Sequence, residues 1–370
     1  MESFKGHVTY FRIYDIGQGV NLHKAQEELK RKNLTEPFKL KKGLRAIVID
    51  EAPIVVSLGS QNFEILGKSY IIAATAKLWN FGAISIVFKI RISPAMAYGD
   101  FKNFTYVLEN DEKLERMALD SVYQIVRDLG GAISEAKVWT QFEDYLIFSL
   151  DPDMLGHKPV ISLLDSPELY HLVLTEPSVE LSQSVKDSIR ANAIQYTVND
   201  LSVVDWNSAF LCSYHPDDIQ DICDVIEFGL CQSLELRYYD DKLDRKLSAF
   251  TKMVQTNKSR VFSSPFTKLA EEAALFFIEV SDIKEKINNS LKVVGDIHYA
   301  KIYRIAIDRL RLKEWNDSLE EKLENLKEVA LVFQNDINEK RNILLEITII
   351  LLITIEVIPF LWGIFQKLFN

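Results

Sequence analysis

The sequence predicts an α+β protein: an N-terminal, mostly antiparallel sheet with helices, then a long helical hairpin or coiled-coil stalk, then one C-terminal transmembrane helix. Three observations predict it. Stretches with strand alternation are concentrated before residue 216. After Pro216 the chain turns into long, charged segments of helical period. Ile343 to Phe365 is an almost unbroken apolar run, as long as the roughly 20 residues that a membrane-spanning helix needs. The expected division is an α+β domain over 1–215, a helical stalk over 216–342 and a transmembrane helix over 343–365.

Taken in order, His7 to Asp15 alternates as a strand, Gly17 and Gly19 make a turn, and Asn21 caps a helix to about Arg31. The Gly-Gln-Gly turn lacks the third glycine and the Lys-Ser/Thr pair of a phosphate cradle, so it reads as a plain turn. A basic stretch follows, Lys30 to Arg45, interrupted by Pro37. It reads as a solvated loop, or as a surface touching anionic lipid or RNA phosphates, with Lys39, Lys41, Lys42 and Arg45 as contact candidates. Leu44 to Leu58 forms two short β-rich runs around Glu51-Ala52-Pro53. Ser69 to Ile92 forms a stronger pair joined through Asn80-Phe81-Gly82, and both read as hairpins or sheet neighbours. Val107 to Leu129 carries a helical apolar face stopped by Gly130-Gly131, and Lys137 to Leu150 is a further strand. Asp151 to Pro177 is a linker or a long loop over the sheet, with one short helix near Glu168. Ile194 to Thr197 and Leu201 to Ser213 return to strand character and extend the same sheet.

Pro216-Asp217-Asp218 opens a helix to about Met253, because proline suits the first turn and acids there oppose the dipole. A second helix spans Pro265 to Leu291, and a third runs from about Gly295 toward the apolar end. Leu319, Leu323, Leu326, Ala330, Phe333 and Ile337 follow the alternating four-three spacing of a coiled coil, which fits either an intramolecular hairpin or a dimeric coil.

Chemistry is sparse. The net charge of −10 argues against a general nucleic-acid binder. The first residues have neither a secretory apolar core nor an Arg-rich transit pattern, so the body is expected to stay in the compartment where it is made. Cys212, Cys223 and Cys231 are too scattered for a disulfide framework and read as reduced, the last two on a helix face. No metal, cofactor or catalytic motif is legible: there is no His-Glu-x-x-His, Cys-x-x-Cys, Gly-x-Ser-x-Gly or phosphate loop. Asp240 and Asp244 share a helix face and offer a cation pair. Arg237 and Arg245, each four residues from Asp241, favour an ion-pair network instead. At the apolar end the candidate anchor and association residues are Lys340 and Arg341 at the boundary and Glu346 and Glu356 within the run. Glu356 is read either as lying near the far interface of a shifted helix or as hydrogen-bonded to a neighbouring helix.

The closing stretch NEKRNILLEITIILLITIEV resembles the C-terminal signature of the "required for meiotic nuclear division" family. That signature joins a charged helix through an Asn-Glu-Lys-type turn to a Leu-Glu pair and an apolar helix containing Ile-Glu-Val. Asn338, Glu339, Lys340, Leu345, Glu346, Ile355, Glu356 and Val357 carry the likeness. Ile347 stands where that family usually has tryptophan after the Leu-Glu pair. SLELRYYDDKLDRKL, from Ser233 to Leu247, looks like the family's helix after its α/β region. The resemblance implies a membrane-anchored protein without catalytic activity. Mitochondrial members support translation by holding ribosomes at the inner membrane. Without a transit sequence, this chain looks more like a bacterial-type relative of an inner membrane.

The function expected from the sequence is therefore a single-pass, tail-anchored scaffold. Its cytoplasmic body would hold a protein partner, the translation machinery being the one implied by the resemblance, at membrane lipids, with homo-oligomer formation through stalk and membrane helix. The alternatives are an ion-transport-associated membrane subunit, or an enzyme with no recognisable motif.

Overall fold

The computed structural model describes residues 2–32, 35–36, 47–49, 51–175, 179–256, 265–289, 291–293 and 297–368. The chain begins with β1 (Ser3–Asp15) and the short β2 (Gly19–Val20), followed by α1 (Leu22–Arg31), whose Asn21 side chain accepts from the Lys24 amide. Four strands, β3 (Thr35–Glu36), β4 (Ile47–Ile49), β5 (Ile54–Ile65) and β6 (Lys68–Leu78), lead to β7 (Ala83–Ala97). The β6–β7 turn runs through Gly82, which sits at φ +113°, where an added Cβ would lie 2.1 Å from the Gly17 carbonyl oxygen. Only glycine fits so close an approach at that angle.

Next come α2 (Tyr98–Glu109) and α3 (Glu112–Leu129). The single helix expected over 107–129 is thus two: Asp111 leaves the helical region at φ −82°, ψ 108° and its carboxylate caps the amides of Lys113 and Leu114. An aspartate at that point starts a helix better than it continues one. Beyond β8 (Ile133–Ser134), β9 (Glu143–Leu150) is shorter than the expected 137–150 strand. Lys137 and Trp139 instead donate backbone bonds to the carbonyls of Ile16 and Asp15. Of the region expected as a linker or loop over 151–177, residues 151–175 fold as 3-10 turns and α4 (Pro167–Val173). It is followed by α5 (Gln183–Ala191), a helix the sequence reading missed, and then by β10 (Ala193–Ile194), β11 (Asp200–Val204) and β12 (Ser208–Ser213). The remainder is α6 (Pro216–Thr256), α7 (Pro265–Asn289), β13 (Leu291–Val293), α8 (Ile297–Arg309) and α9 (Leu312–Leu368). The expected third helix is therefore broken between α8 and α9, where Arg311 takes φ +55°.

Nine strands form one sheet in the order β10-β11-β12-β9-β1-β7-β6-β5-β3, antiparallel throughout except for the parallel pair β12–β9. The late strands do join the early sheet. β4 corrects the hairpin expectation: among the described residues it pairs with β13, not with β5.

The chain divides into two compact units, Met1–Tyr238 with Ile283–Asn316, and Tyr239–Asp282 with Asp317–Asn370. In the first, alternation along the strands sends side chains to both faces of the sheet. Ile84, Ile86, Phe88 and Ile90 of β7 join Phe101, Phe104, Leu114 and Val122 of α2 and α3 in one core. The intervening Ser85 and Lys89 face α6, with Phe228 of that helix against Trp79 and Phe81. Gly229 lets α6 approach the end of α8, where an added Cβ would lie 3.3 Å from a Leu310 methyl, tighter than ordinary contact.

In the second unit, the later part of α6 is tied to α7 through Lys242–Glu279 (2.6 Å) and Lys246–Glu272, and to α9 through Lys322 and an edge-on Phe250–Phe333 contact. Leu319, Leu323, Leu326 and Phe333 are buried within this unit. The four-three seam is therefore used inside the chain, as a hairpin would use it.

Candidate membrane anchor

Helix α9 carries a run of exposed apolar side chains from Ile343 to Ile358. Its most apolar 18-residue window has a mean hydropathy of 2.1 and is 0% buried. Leu326, before the run, is fully buried, whereas Leu352, within it, is 59% exposed. The contrast matters because a core helix of this composition would be covered. Holding the run in water would forgo on the order of 10 kcal/mol of apolar burial. One helix of the described chain is thus long and apolar enough to cross a membrane.

The candidate residues fall on it as follows. Lys340 pairs with Asp336 at 2.8 Å, one turn back on the same helix, and Arg341 is exposed. Glu346 and Glu356 are exposed, and among the described residues neither carboxylate has a hydrogen-bond or ion-pair partner. Ten residues apart, they sit about 15 Å from one another along the axis and about 80° apart around it. The hydroxyls of Thr348 and Thr354 donate to the carbonyls of Leu344 and Ile350, at 2.8 and 2.7 Å, so both threonines satisfy themselves on their own helix. Pro359 lies inside the helix. The contact candidates Lys39, Lys41, Lys42 and Arg45 lie outside the described residues.

The Asp240–Asp244 pair is not an open cation site. Lys322 of α9 places its ammonium between them, at 2.8 and 2.6 Å. Arg245 pairs with Asp241 as its spacing implies, while Arg237 reaches Glu143 instead. Among the described residues no group of three or more His, Cys, Asp or Glu side chains is arranged to hold a metal ion. The three cysteines are buried, and burial pushes the Cys212 and Cys223 thiols up to about 12, far from thiolate chemistry.

Two polar arrangements in the first unit were missed from the sequence. One is a buried charge network beneath α6. Lys77 of β6 bonds Asp224 at 2.8 Å and Glu227, and Glu227 also accepts from Ser85. Burial works against the Lys77 charge, yet the two carboxylates outweigh it and hold the ammonium above the usual lysine range. Burial likewise pushes Glu227 up, because one ammonium is shared with Asp224 and offsets only part of that cost. The signal was present as Asp224 and Glu227 within the apolar face of α6, but their partner lies about 150 residues away. The second is a cleft of about 360 Å³ lined by Tyr196, Ser202, Asp217, Asp221, His298 and Tyr299 among others. Asp200, at its edge, closes the preceding turn by accepting from the amides of Tyr196 and Thr197. Asp221 accepts from the Tyr299 hydroxyl at 3.3 Å. Burial, and then the neighbouring Asp224, push its pKa up to about 6.

An α+β body whose mixed sheet is followed by one long helix, apolar enough to span a bilayer, is the class that these features define. Residues 5–218 match the family described as "Uncharacterized protein MJ0711, N-terminal domain", more than half of the chain, and the protein belongs to that family. The match covers the strands of the nine-stranded sheet and ends as α6 begins. The chain is also similar to "Uncharacterized protein MJ0711" of Methanocaldococcus jannaschii, 27% identical over 179 residues, 48% of this chain. The match spans about half of that relative's length, 54%. No solved structure matches the chain.

Proposed function

We propose that this protein is a membrane-tethered scaffold without catalytic activity, anchored by the apolar part of α9 and holding a partner at the bilayer through its folded body. The observation that carries the reading is the uncovered apolar run itself, with a mean hydropathy of 2.1 and no part of its window buried. The threonine hydroxyls, closed onto their own helix, suit a lipid environment in which every polar group needs a partner. Lys340 and Arg341 on the body side favour a body in the cytoplasm. The likeness of 338–357 to the "required for meiotic nuclear division" family supports the same reading. Through that family it makes translation machinery the partner to test.

The test compares the full chain with a version ending at Lys340. After alkaline carbonate washing, the full chain is expected in the membrane pellet and the shortened chain in the supernatant. Retention of the shortened chain, or release of the full one, refutes the anchor. Co-sedimentation of the detergent-solubilised chain with ribosomes tests the partner separately. Its failure removes translation machinery and leaves the tether.

A further inference from the structure

We propose that the apolar part of α9 pairs with a second copy of this chain, through the stripe that carries Glu356. The inference rests on the membrane reading above and names a partner for that segment. Between Ile343 and Pro359 the polar side chains are Glu346, Thr348, Thr354 and Glu356. Both threonine hydroxyls are already bonded within the helix. Glu346 lies about 8 Å along the axis from Arg341, close enough to the boundary to reach the headgroups. Glu356 lies about 20 Å beyond Ile343 and about 16 Å short of Lys367, out of reach of either end. In hydrocarbon a carboxyl group is neutral or paired. Among the described residues nothing in the chain reaches it.

A second copy fits this position better than an unrelated helix. A neutral carboxyl group has one donor and an acceptor, so it is complementary to itself. Two of them related by a two-fold axis satisfy each other with two hydrogen bonds. At about 100° per residue, Ile349, Leu352 and Ile353 share the face of Glu356, whereas Ile347 and Ile358 lie opposite. All five are exposed and ready to pack. The other carboxylate of the described run, Glu346, lies beside the edge of this face but near the boundary, so one deeply placed carboxyl per helix is the polar requirement, and an identical helix meets it. The seam at Leu319, Leu323, Leu326 and Phe333 is buried within the chain. Pairing is therefore assigned to the apolar segment and not to the coil seam.

The experiment places single cysteines in the full chain, reconstituted in phospholipid vesicles, and follows oxidative cross-linking. The native cysteines are buried and do not compete. Ile349→Cys and Ile353→Cys are expected to cross-link to a second copy, and Ile347→Cys and Ile358→Cys are not. Adding Glu356→Gln, whose amide still donates and accepts, should preserve the pattern. Adding Glu356→Leu should weaken association roughly 5- to 30-fold, the effect of two interhelical hydrogen bonds. Equal cross-linking from both faces, or no loss with Glu356→Leu, overturns the pairing. Carbonate extraction of the same samples separates the two readings. Chain that resists extraction but does not cross-link at 349 and 353 sinks the pairing alone, while chain released from the vesicles sinks the anchor and the pairing together.

Discussion

Replacing Lys77 with methionine tests what holds α6 against the sheet. Lys77 is 8% exposed and Glu227 1%, whereas the Asp224 side chain retains 21% of its exposure. Without the ammonium, Glu227 keeps only the Ser85 hydroxyl, and its carboxylate stays buried and uncompensated. Removing one member of a buried pair in this way costs about 3–5 kcal/mol. In a cooperative domain of this size that is a fall of roughly 6–20 °C in melting temperature. Glu227→Leu should cost less, because Lys77 keeps Asp224, which still meets solvent. The double variant Lys77→Met, Glu227→Leu removes both charges and should recover most of the loss, to within about 2 kcal/mol of the parent. The assay is thermal unfolding of the detergent-solubilised full chain, followed by near-ultraviolet circular dichroism. The shared-ammonium reasoning is refuted if Lys77→Met costs less than about 1 kcal/mol, if it costs no more than Glu227→Leu, or if the double variant loses the sum of the singles.

Three further outcomes are expected. Because the Asp221 pKa is raised in the folded state to about 6, its contribution to stability is complete below its unfolded value near pH 4 and is lost as the pH rises through about 6. Asp221→Asn, which keeps an acceptor for Tyr299, should flatten the melting temperature over that window, and an unchanged pH profile would count against the assignment. Lys322→Met should lower the stability of the helical unit by about 1 kcal/mol, since Asp240 and Asp244 then face each other without a counter-charge. Millimolar magnesium or calcium should leave the parent's melting temperature unchanged, and a cation-dependent rise would restore the metal reading of that pair.

Periodicity and local signals were enough, by themselves, for the fold class and for the run that sets α9 apart. The β6–β7 pair was legible because alternation and an Asn-Phe-Gly turn act over a few residues. The start of α1 was legible because Asn21 caps its own neighbour, and the opening of α6 because Pro216 and two acids follow one another. The apolar run was legible because membrane length and hydropathy are properties of consecutive residues. Only the tertiary structure decided matters that depend on what lies opposite. The seam from Leu319 to Phe333 has the same spacing in a hairpin and in a dimer, and the choice came from Phe250 and Lys322 closing it within the chain. Asp240 and Asp244 have the spacing of a cation pair, and Lys322 arrives from a helix about 80 residues later. Lys77 and Glu227 each look misplaced in an apolar pattern, and they make sense only once β6 and α6 are stacked. Pairing between distant segments leaves no mark on local period, because each partner's sequence records only the face it presents and not the group that meets it.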